Sequence, residues 1–174
     1  GSLNANTSWD RTYYFELLPS NQLELGMWLE SERMLHPKIE EIGVSTQKNV
    51  VCQEMGQTRD NQPYGTAMTK IQANSFKVHP YSHDILGSEE HIRNASVQDF
   101  QDFHDMFYKP NNAVLTICGD FDVKQTKAWI EEYFGDIPAG TVEPRRPDPN
   151  MEPKRTEPIK DTVYDNIQMP MLIE

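Results

Sequence analysis

Prolines divide this chain into short segments, and that division constrains its fold more than any other feature. Pro19, Pro37 and Pro110 each fall where a periodic segment ends, because proline cannot continue a helix or donate inside a sheet. Between residues 138 and 158 prolines recur among mixed charges with few large apolar residues, which predicts an extended linker or arm. No internal repeat is present, so we expect short helices and strands around one core.

Two of these segments predict strands. Residues 7–18 carry aromatic side chains at alternating positions, which is typical of a half-buried strand, with Arg11 interrupting the apolar face. The continuous apolar run at residues 113–118 predicts a central strand that is buried on both faces.

The remaining periodic segments predict helices. Asn21 and Ser96 are predicted N-caps, with Glu24 and Asp99 at the capping-box positions. Helical spacing predicts helices over about residues 39–58, over residues 66–76, from Ser96 to Pro110 with a buried phenylalanine stripe, and after Asp122. Strands and helices mix without a regular βαβ rhythm, so the fold class is expected to be α+β.

The acidic balance limits the kinds of partner. A net charge of −11 and an isoelectric point near 4.9 argue against a nucleic-acid surface or an anionic membrane surface, since both require clustered Lys and Arg. No apolar run is long enough to cross a bilayer. Cys52 and Cys118 lie far apart among apolar residues, and two buried free thiols are the expected state.

Most residues that carry catalytic chemistry in other proteins have a structural explanation here. His79 and His83 are four residues apart, but the intervening proline and the lack of a carboxylate argue against a helical zinc pair. His104 is expected to be a satisfied boundary histidine, and Asp120 and Asp122 are expected to serve in a turn and a helix cap. Neither a nucleophile elbow nor a phosphate-binding glycine loop occurs.

Glu54 is the exception, because helical spacing places it on one side of its helix with Gln47, Val50 and Val51. A carboxylate on an apolar stripe is costly unless something neutralises it, and a metal ion is one candidate. The alternative is a boundary glutamate that reaches water or pairs with a lysine or arginine. The residue pattern alone favours that alternative.

Three ordered stretches change this balance, because together they resemble the insulinase–pitrilysin (M16) family of zinc metallopeptidases, especially its bacterial members with short domains. The resemblance covers roughly residues 3–138. The first stretch comprises Asn4-Ala5-Asn6-Thr7-Ser8 and Asp10-Arg11-Thr12-Tyr13-Tyr14-Phe15. The second comprises Gln47-Lys48-Asn49-Val50-Val51-Cys52-Gln53-Glu54 and Asp60-Asn61-Gln62-Pro63-Tyr64-Gly65. The third comprises His79-Pro80-Tyr81, Gly87, Tyr108-Lys109-Pro110-Asn111-Asn112-Ala113 and Gly119-Asp120-Phe121-Asp122.

This resemblance implies a specific fold and domain plan. The expected fold is half of a LuxS/MPP-like metallohydrolase, with a mixed, largely antiparallel sheet and helices packed on one side. Residues 1–138 would be an M16 N-terminal-type domain with an incomplete N-terminal part. Residues 139–158 would be a proline-rich linker or arm, and residues 159–174 would begin the next segment or domain. A second M16-type domain or subunit is expected to close a chamber around the substrate.

The resemblance also implies site residues. Glu54 matches the distal zinc-ligand glutamate of the family, and Gln47 stands where many relatives carry a second glutamate that supports the site. Asn4, Ala5, Asn6 and Thr7 match the edge strand that pairs with the substrate backbone. The implied cofactor is zinc, and the implied activity is hydrolysis of peptides or unfolded segments. A bacterial periplasmic or exported location is plausible by analogy with the family.

One departure decides what is expected of the chain by itself. The family's His-x-x-Glu-His motif, which carries two zinc-binding histidines and the catalytic glutamate, is absent from these residues. The sequence is therefore interpreted as a fragment that begins just after the motif, is inactive alone and binds zinc weakly or not at all. The first alternative is a non-catalytic M16-like subunit that binds peptides or scaffolds a catalytic partner. The second is an acidic α+β interaction domain outside the family.

Overall fold

The computed structural model describes residues 1–173 and confirms the predicted α+β class. Two strands form an antiparallel sheet, and six α-helices follow. The chain divides into two compact units. Unit 1 contains residues 1–43 and 96–145, and unit 2 contains residues 44–95 together with 146–173. Among the described residues, no helix is long and apolar enough to cross a membrane.

Unit 1 begins with a β-hairpin. Strand β1 spans Ser2–Thr7 and strand β2 spans Thr12–Leu17, with Thr7 opposite Thr12 and Ser2 opposite Leu17. The Ser8 amide donates to the Arg11 carbonyl at 2.8 Å and closes the turn. The prediction of one strand over residues 7–18 is therefore wrong at its start. Aromatic alternation continues into Trp9, but residues 8–11 reverse the chain instead of extending it.

Three helices complete unit 1. They are α1 (Leu23–Leu35), α5 (Val97–Phe107) and α6 (Val123–Phe134). The capping box predicted at Ser96 and Asp99 is confirmed, and the Asp122 side chain accepts the Gln125 amide at the start of α6. The cap predicted at Asn21 is wrong, because a 3-10 turn over Ser20–Gln22 precedes α1 without a side-chain cap.

Helices α1 and α6 pack together in the core of unit 1. Met27 and Ser31 of α1, Thr126 of α6 and Ile137 are buried. The predicted phenylalanine stripe of α5 is helical but not buried, since Phe103 is 54% exposed. Helical spacing shows which side chains share a face, whereas burial also requires a layer to cover that face.

The central strand predicted over residues 113–118 is wrong. The segment has no assigned strand, and the sheet within residues 1–173 contains only β1 and β2. Val114 is 92% exposed. Cys118 is likewise exposed, so the two cysteines are free but not both buried. An apolar run becomes a strand only where neighbouring strands supply backbone partners.

Unit 2 contains most of the long helix α2 (Glu41–Met55), which starts in unit 1. One π-helical segment, Gly56–Asp60, follows it directly, and then come α3 (Ala67–Ser75) and α4 (Glu89–Asn94). The Arg59 guanidinium binds the Asp84 carboxylate at 3.3 Å and the Gly87 carbonyl at 3.1 Å. These bonds tie the π-helical segment to the turn before α4.

Residues 146–173 form an arm within unit 2. Among these described residues there is no helix or strand, and the arm contacts the region from Tyr64 to His79 through individual side chains. The strand character expected after residue 159 is not seen. The predicted boundaries at residues 138 and 158 stay a prediction.

Candidate metal and substrate-binding site

Glu54 lies in the last turn of α2, and its side chain is exposed. Val44 and Met55 are the buried residues of this helix, whereas Val50 is 48% exposed. The expectation that Glu54 sits on a buried apolar stripe is therefore wrong, because the buried face of α2 is centred on other positions. Among the described residues, the Glu54 carboxylate has neither an ion pair nor a hydrogen bond.

The backbone beside Glu54 is held from two sides. Met55 is 1% exposed and anchors the end of α2 in unit 2. The Thr58 hydroxyl donates to the Glu54 carbonyl at 2.7 Å, where the π-helical segment begins. Single π-turns within helices are frequent at functional sites. The sequence thus places an unpaired carboxylate on a backbone with little freedom to move.

Gln47 is also on α2 and exposed, seven residues before Glu54. Seven residues correspond to about 10 Å along a helix axis. Gln47 and Glu54 therefore lie two helical turns apart on one side of α2, and no hydrogen bond joins their side chains among the described residues.

The described residues do not assemble a complete metal centre. Within residues 1–173 no three His, Cys, Asp or Glu side chains converge on a position that could hold a metal. Catalytic zinc typically has about three protein ligands and an open position. Glu54 fits the role of one oxygen ligand, because its carboxylate is exposed, but residues 1–173 do not bring the other ligands to it.

His79 and His104 both have structural partners, as the sequence predicts for His104. The ring of His79 accepts the Tyr81 amide at 3.2 Å and packs between aromatic rings. The Nε2 atom of His104 lies 2.9 Å from the Arg33 carbonyl. Both rings are buried and engaged, so neither is poised to bind a metal.

The predicted substrate-binding residues all lie on β1. Its residues pair with β2, with Asn4 opposite Phe15 and Ala5 opposite Tyr14. No other strand among residues 1–173 pairs with β1, so its second edge is open. The Ala5 amide donates to its neighbour Asn4 Oδ1 at 2.8 Å. An exposed strand edge of this kind can accept an extended peptide through main-chain hydrogen bonds.

A polar cluster in unit 1 was not found from the sequence. The Tyr14 and Tyr108 hydroxyls lie 2.5 Å apart, and the Arg33 guanidinium lies 4.1 Å from the centre of the Tyr14 ring. Burial, reinforced by the hydrogen bond with Tyr14, raises the pKa of Tyr108. Only the pairing of Glu30 with Arg33, three residues apart on α1, could have been read from sequence spacing.

Glu16 adds an unusual acid to this cluster. Its Oε1 atom is buried without a hydrogen-bond partner among the described residues. Burial first, and then the neighbouring Glu30 carboxylate, raise the pKa of Glu16, while Arg33 opposes them. The cluster explains how β2 and α1 are joined, but it does not resemble a reaction centre.

Comparison with known proteins gives a family-model match and similar proteins that are named zinc proteases. Residues 94–171 match a family model described as the peptidase M16 inactive domain, and Glu54 lies before the matched range. The zinc protease PqqE of Helicobacter pylori is 28% identical over 137 residues, covering 79% of this chain and 31% of the relative. The chain spans about a third of the length of the first curated relatives, which are all named zinc proteases.

Solved structures agree in fold. A crystal structure of a protease from Helicobacter pylori superposes with a TM-score of 0.80 and 28% identity, over 88% of this chain and 37% of that one. The first half of the periplasmic protease PqqL from Escherichia coli superposes with a TM-score of 0.68 over 83% of this chain and 31% of that one. Its identity is 20%, so this second likeness supports the fold alone.

Proposed function

This chain belongs to the M16 peptidase family, and we propose that it is part of a zinc-dependent endopeptidase that hydrolyses peptides or unfolded segments. In this proposal, Glu54 is the distal zinc ligand and β1 is the strand that pairs with substrate. The other zinc ligands and the catalytic base come from residues outside these 174. Alone, the chain is expected to be inactive.

The main support for this proposal is that the Glu54 carboxylate is exposed and unpaired among the described residues. The carboxylate is therefore available to bind a cation. Its backbone is fixed by buried Met55 and by the bond from Thr58. An anionic oxygen ligand held on an ordered helix meets the requirement for preorganised metal binding.

Zinc held by Glu54 together with ligands from outside these residues would supply Lewis-acid activation of water and of the peptide carbonyl. In this proposal the chain provides a negative charge at the metal and a strand that positions the substrate. Glu54 contributes one negative charge, which offsets the positive charge of the metal. The open edge of β1 would hold the substrate backbone extended, and main-chain bonding leaves the choice of side chains broad.

The decisive experiment uses a longer protein that contains these residues, with Glu54→Gln compared against wild type. Zinc content is measured by mass spectrometry and cleavage by a quenched fluorescent peptide. We expect both to fall by at least about tenfold, because a neutral amide is a weaker ligand than a carboxylate. Glu41→Gln, an exposed glutamate at the other end of α2, is the matched control and should change neither.

Unchanged zinc content and unchanged cleavage in the Glu54→Gln protein would refute the assignment. A calorimetric titration of the 174-residue chain adds an independent check. Tight, stoichiometric zinc binding that Glu54→Gln abolishes would show that the site is complete here and would contradict the shared-site proposal.

A non-catalytic subunit is the second candidate, and the description of the matched family model as an inactive domain favours it. Such a subunit would bind peptides along β1, or scaffold a catalytic partner, without needing zinc. Peptide affinity that is unaffected by chelation, together with no cleavage by the longer protein, would select this function. An intact His-x-x-Glu-His motif upstream would select the enzyme.

The proposal also includes a partner and a location. A second M16-type domain or subunit would close a chamber over the substrate. Size-exclusion chromatography with light scattering would detect the second domain as a larger chain, or the second subunit as a complex. A periplasmic or exported location is proposed by analogy with the sequence relative PqqL of Escherichia coli, which is 24% identical over 147 residues and is described as a periplasmic protease. Cell fractionation tests it, and recovery in the cytoplasmic fraction would overturn it.

A further inference from the structure

The arm of unit 2, residues 146–173, has no regular structure of its own among the described residues, yet it follows a defined path. Ordering an irregular backbone costs roughly 1–2 kcal/mol per residue in conformational entropy. Specific contacts must offset that cost. The contacts around Glu152 and Arg155 are the most concentrated of those that hold the arm.

Arg155 binds the end of α3. Its guanidinium Nη2 donates to the carbonyls of Asn74 and Ser75 at 2.8 and 3.0 Å. These are the last carbonyls of a helix that ends at Ser75, and such groups lack partners inside the helix. A cation at this position also complements the negative end of the helix dipole.

Glu152 binds the segment that follows α3. Its carboxylate accepts three consecutive backbone amides, from Lys77 at 2.7 Å and from Val78 and His79 at 2.9 Å. Successive amides that converge on one anion form a strong anion-binding site without any cationic side chain. Glu152 and Arg155 are three residues apart on the arm. This short stretch therefore binds both backbone amides and backbone carbonyls around the end of α3.

We propose that Glu152 and Arg155 form a releasable clasp that holds the arm on unit 2, and that the clasp opens when the Glu152 carboxylate is neutralised. The clasp stands independently of the zinc proposal. It also forms the groove of about 460 Å³ between the end of α3 and residues 152–159, which exists only while the arm is docked.

Acid should open the clasp. The amides of His79 and Val78 hold the pKa of Glu152 below its ordinary value near 4.5. A carboxyl whose pKa is lower in the folded chain stabilises that state above the ordinary pKa, and this contribution is lost as the pH falls through the lowered value. The charged or titratable groups around Glu152 are Lys77, His79, Lys154, Arg155 and Glu157.

Hydrogen exchange of the 174-residue chain tests the clasp at individual amides. In Glu152→Gln, exchange at residues 77–79 should rise by about tenfold, because a charge-assisted acceptor is replaced by a neutral one. Glu157→Gln removes the same charge from the same arm but none of these bonds, so it should match wild type. Equal protection of residues 77–79 in the two variants would overturn the proposal.

A pH series on the wild-type chain covers the case in which Glu152→Gln unfolds unit 2. After correction for intrinsic rates, protection at residues 77–79 should disappear at a higher pH than protection within α3. Simultaneous loss at both places would mean that the clasp does not open separately, and the proposal would fail. Trypsin cleavage after Lys160 of the arm should accelerate in Glu152→Gln and not in Glu157→Gln.

Discussion

The hydroxyl oxygens of Tyr14 and Tyr108 lie 2.5 Å apart across a sequence separation of 94 residues. Tyr14 belongs to β2, and Tyr108 follows the last residue of α5. The ring of His104 stacks on Tyr108 with centroids 4.7 Å apart, and Arg33 of α1 covers Tyr14. This contact thus joins the hairpin of unit 1 to two of its helices.

Replacing Tyr108 with phenylalanine tests the energetic weight of that contact. We expect the free energy of unfolding to fall by about 1 kcal/mol, because the half-buried Tyr14 hydroxyl loses its partner. Tyr133→Phe is the control, since its hydroxyl donates to Glu24 at the surface and should matter by less than about 0.5 kcal/mol. Urea denaturation measures the free energy of unfolding of both variants. An equal loss in the two would contradict the prediction that the Tyr14–Tyr108 contact contributes more than the Tyr133–Glu24 contact.

Glu16→Gln should change how stability depends on pH. Burial and the nearby Glu30 carboxylate raise the pKa of Glu16 above its ordinary value near 4.5. Its stabilising contribution is therefore complete below that ordinary value and is lost as the pH rises through the raised one. The amide stays neutral, so the variant should be more stable than wild type at about pH 8 and differ less at about pH 4.

Urea titrations at both pH values measure the stability of Glu16→Gln, and Glu40→Gln is measured in the same way as the control. Glu40 is exposed just before α2 and lies outside the cluster around Arg33, so Glu40→Gln controls for the loss of one surface carboxylate. A profile for Glu16→Gln that parallels wild type at every pH would show that Glu16 is solvated in the folded chain.

Met55→Ala should destabilise the helix that carries Glu54. Truncating a fully buried methionine costs about 2–5 kcal/mol, through lost apolar burial and the cavity left behind. Met55 is 1% exposed, whereas Met68 on α3 is 61% exposed and serves as the control. Thermal unfolding followed by circular dichroism should show a marked drop in Tm for the first variant only. Similar midpoints for both would mean that Met55 is not a core residue.

Ala5→Pro should weaken peptide binding if β1 is the substrate strand. Proline removes the Ala5 amide, while Ala5→Val keeps it and suits a strand. In the longer protein we expect the proline variant to lose about tenfold in peptide affinity with its zinc content unchanged. Calorimetry with an uncleaved peptide measures the affinity. Equal affinity in the two variants would mean that peptides do not bind along this edge.

Local signals predicted most of the described α-helices, although α4 was not expected and the cap at Asn21 was wrong. The capping box at Ser96 and the cap at Asp122 lie within four residues of the groups they bind, and both are confirmed. The helix expected over residues 39–58 is also present, although it ends as an α-helix at Met55 and continues as a π-helical segment. Neighbouring residues determine such features, so a single sequence contains them.

Features that depend on distant residues were not predictable in the same way. Helical spacing grouped Glu54 with Val50 but could not show that the buried side of α2 is set by Val44 and Met55. The apolar run that includes Val114 lacks a strand partner within residues 1–173. The ordered motifs identified the family, whereas the roles of Glu54 and β1 stay predictions. The bonds from Glu152 to the amides of residues 77–79 join distant parts of the chain, and no local pattern indicates them.

The division into two units has a spectroscopic consequence. Trp9, Trp28 and Trp129 are the three tryptophans of the chain, and all of them lie in unit 1. Fluorescence excited selectively at indole therefore reports on unit 1, while unit 2 emits no signal of this kind. Far-ultraviolet ellipticity draws on the helices of both. Recording the two signals on one sample would reveal whether the units melt in a single step or in succession.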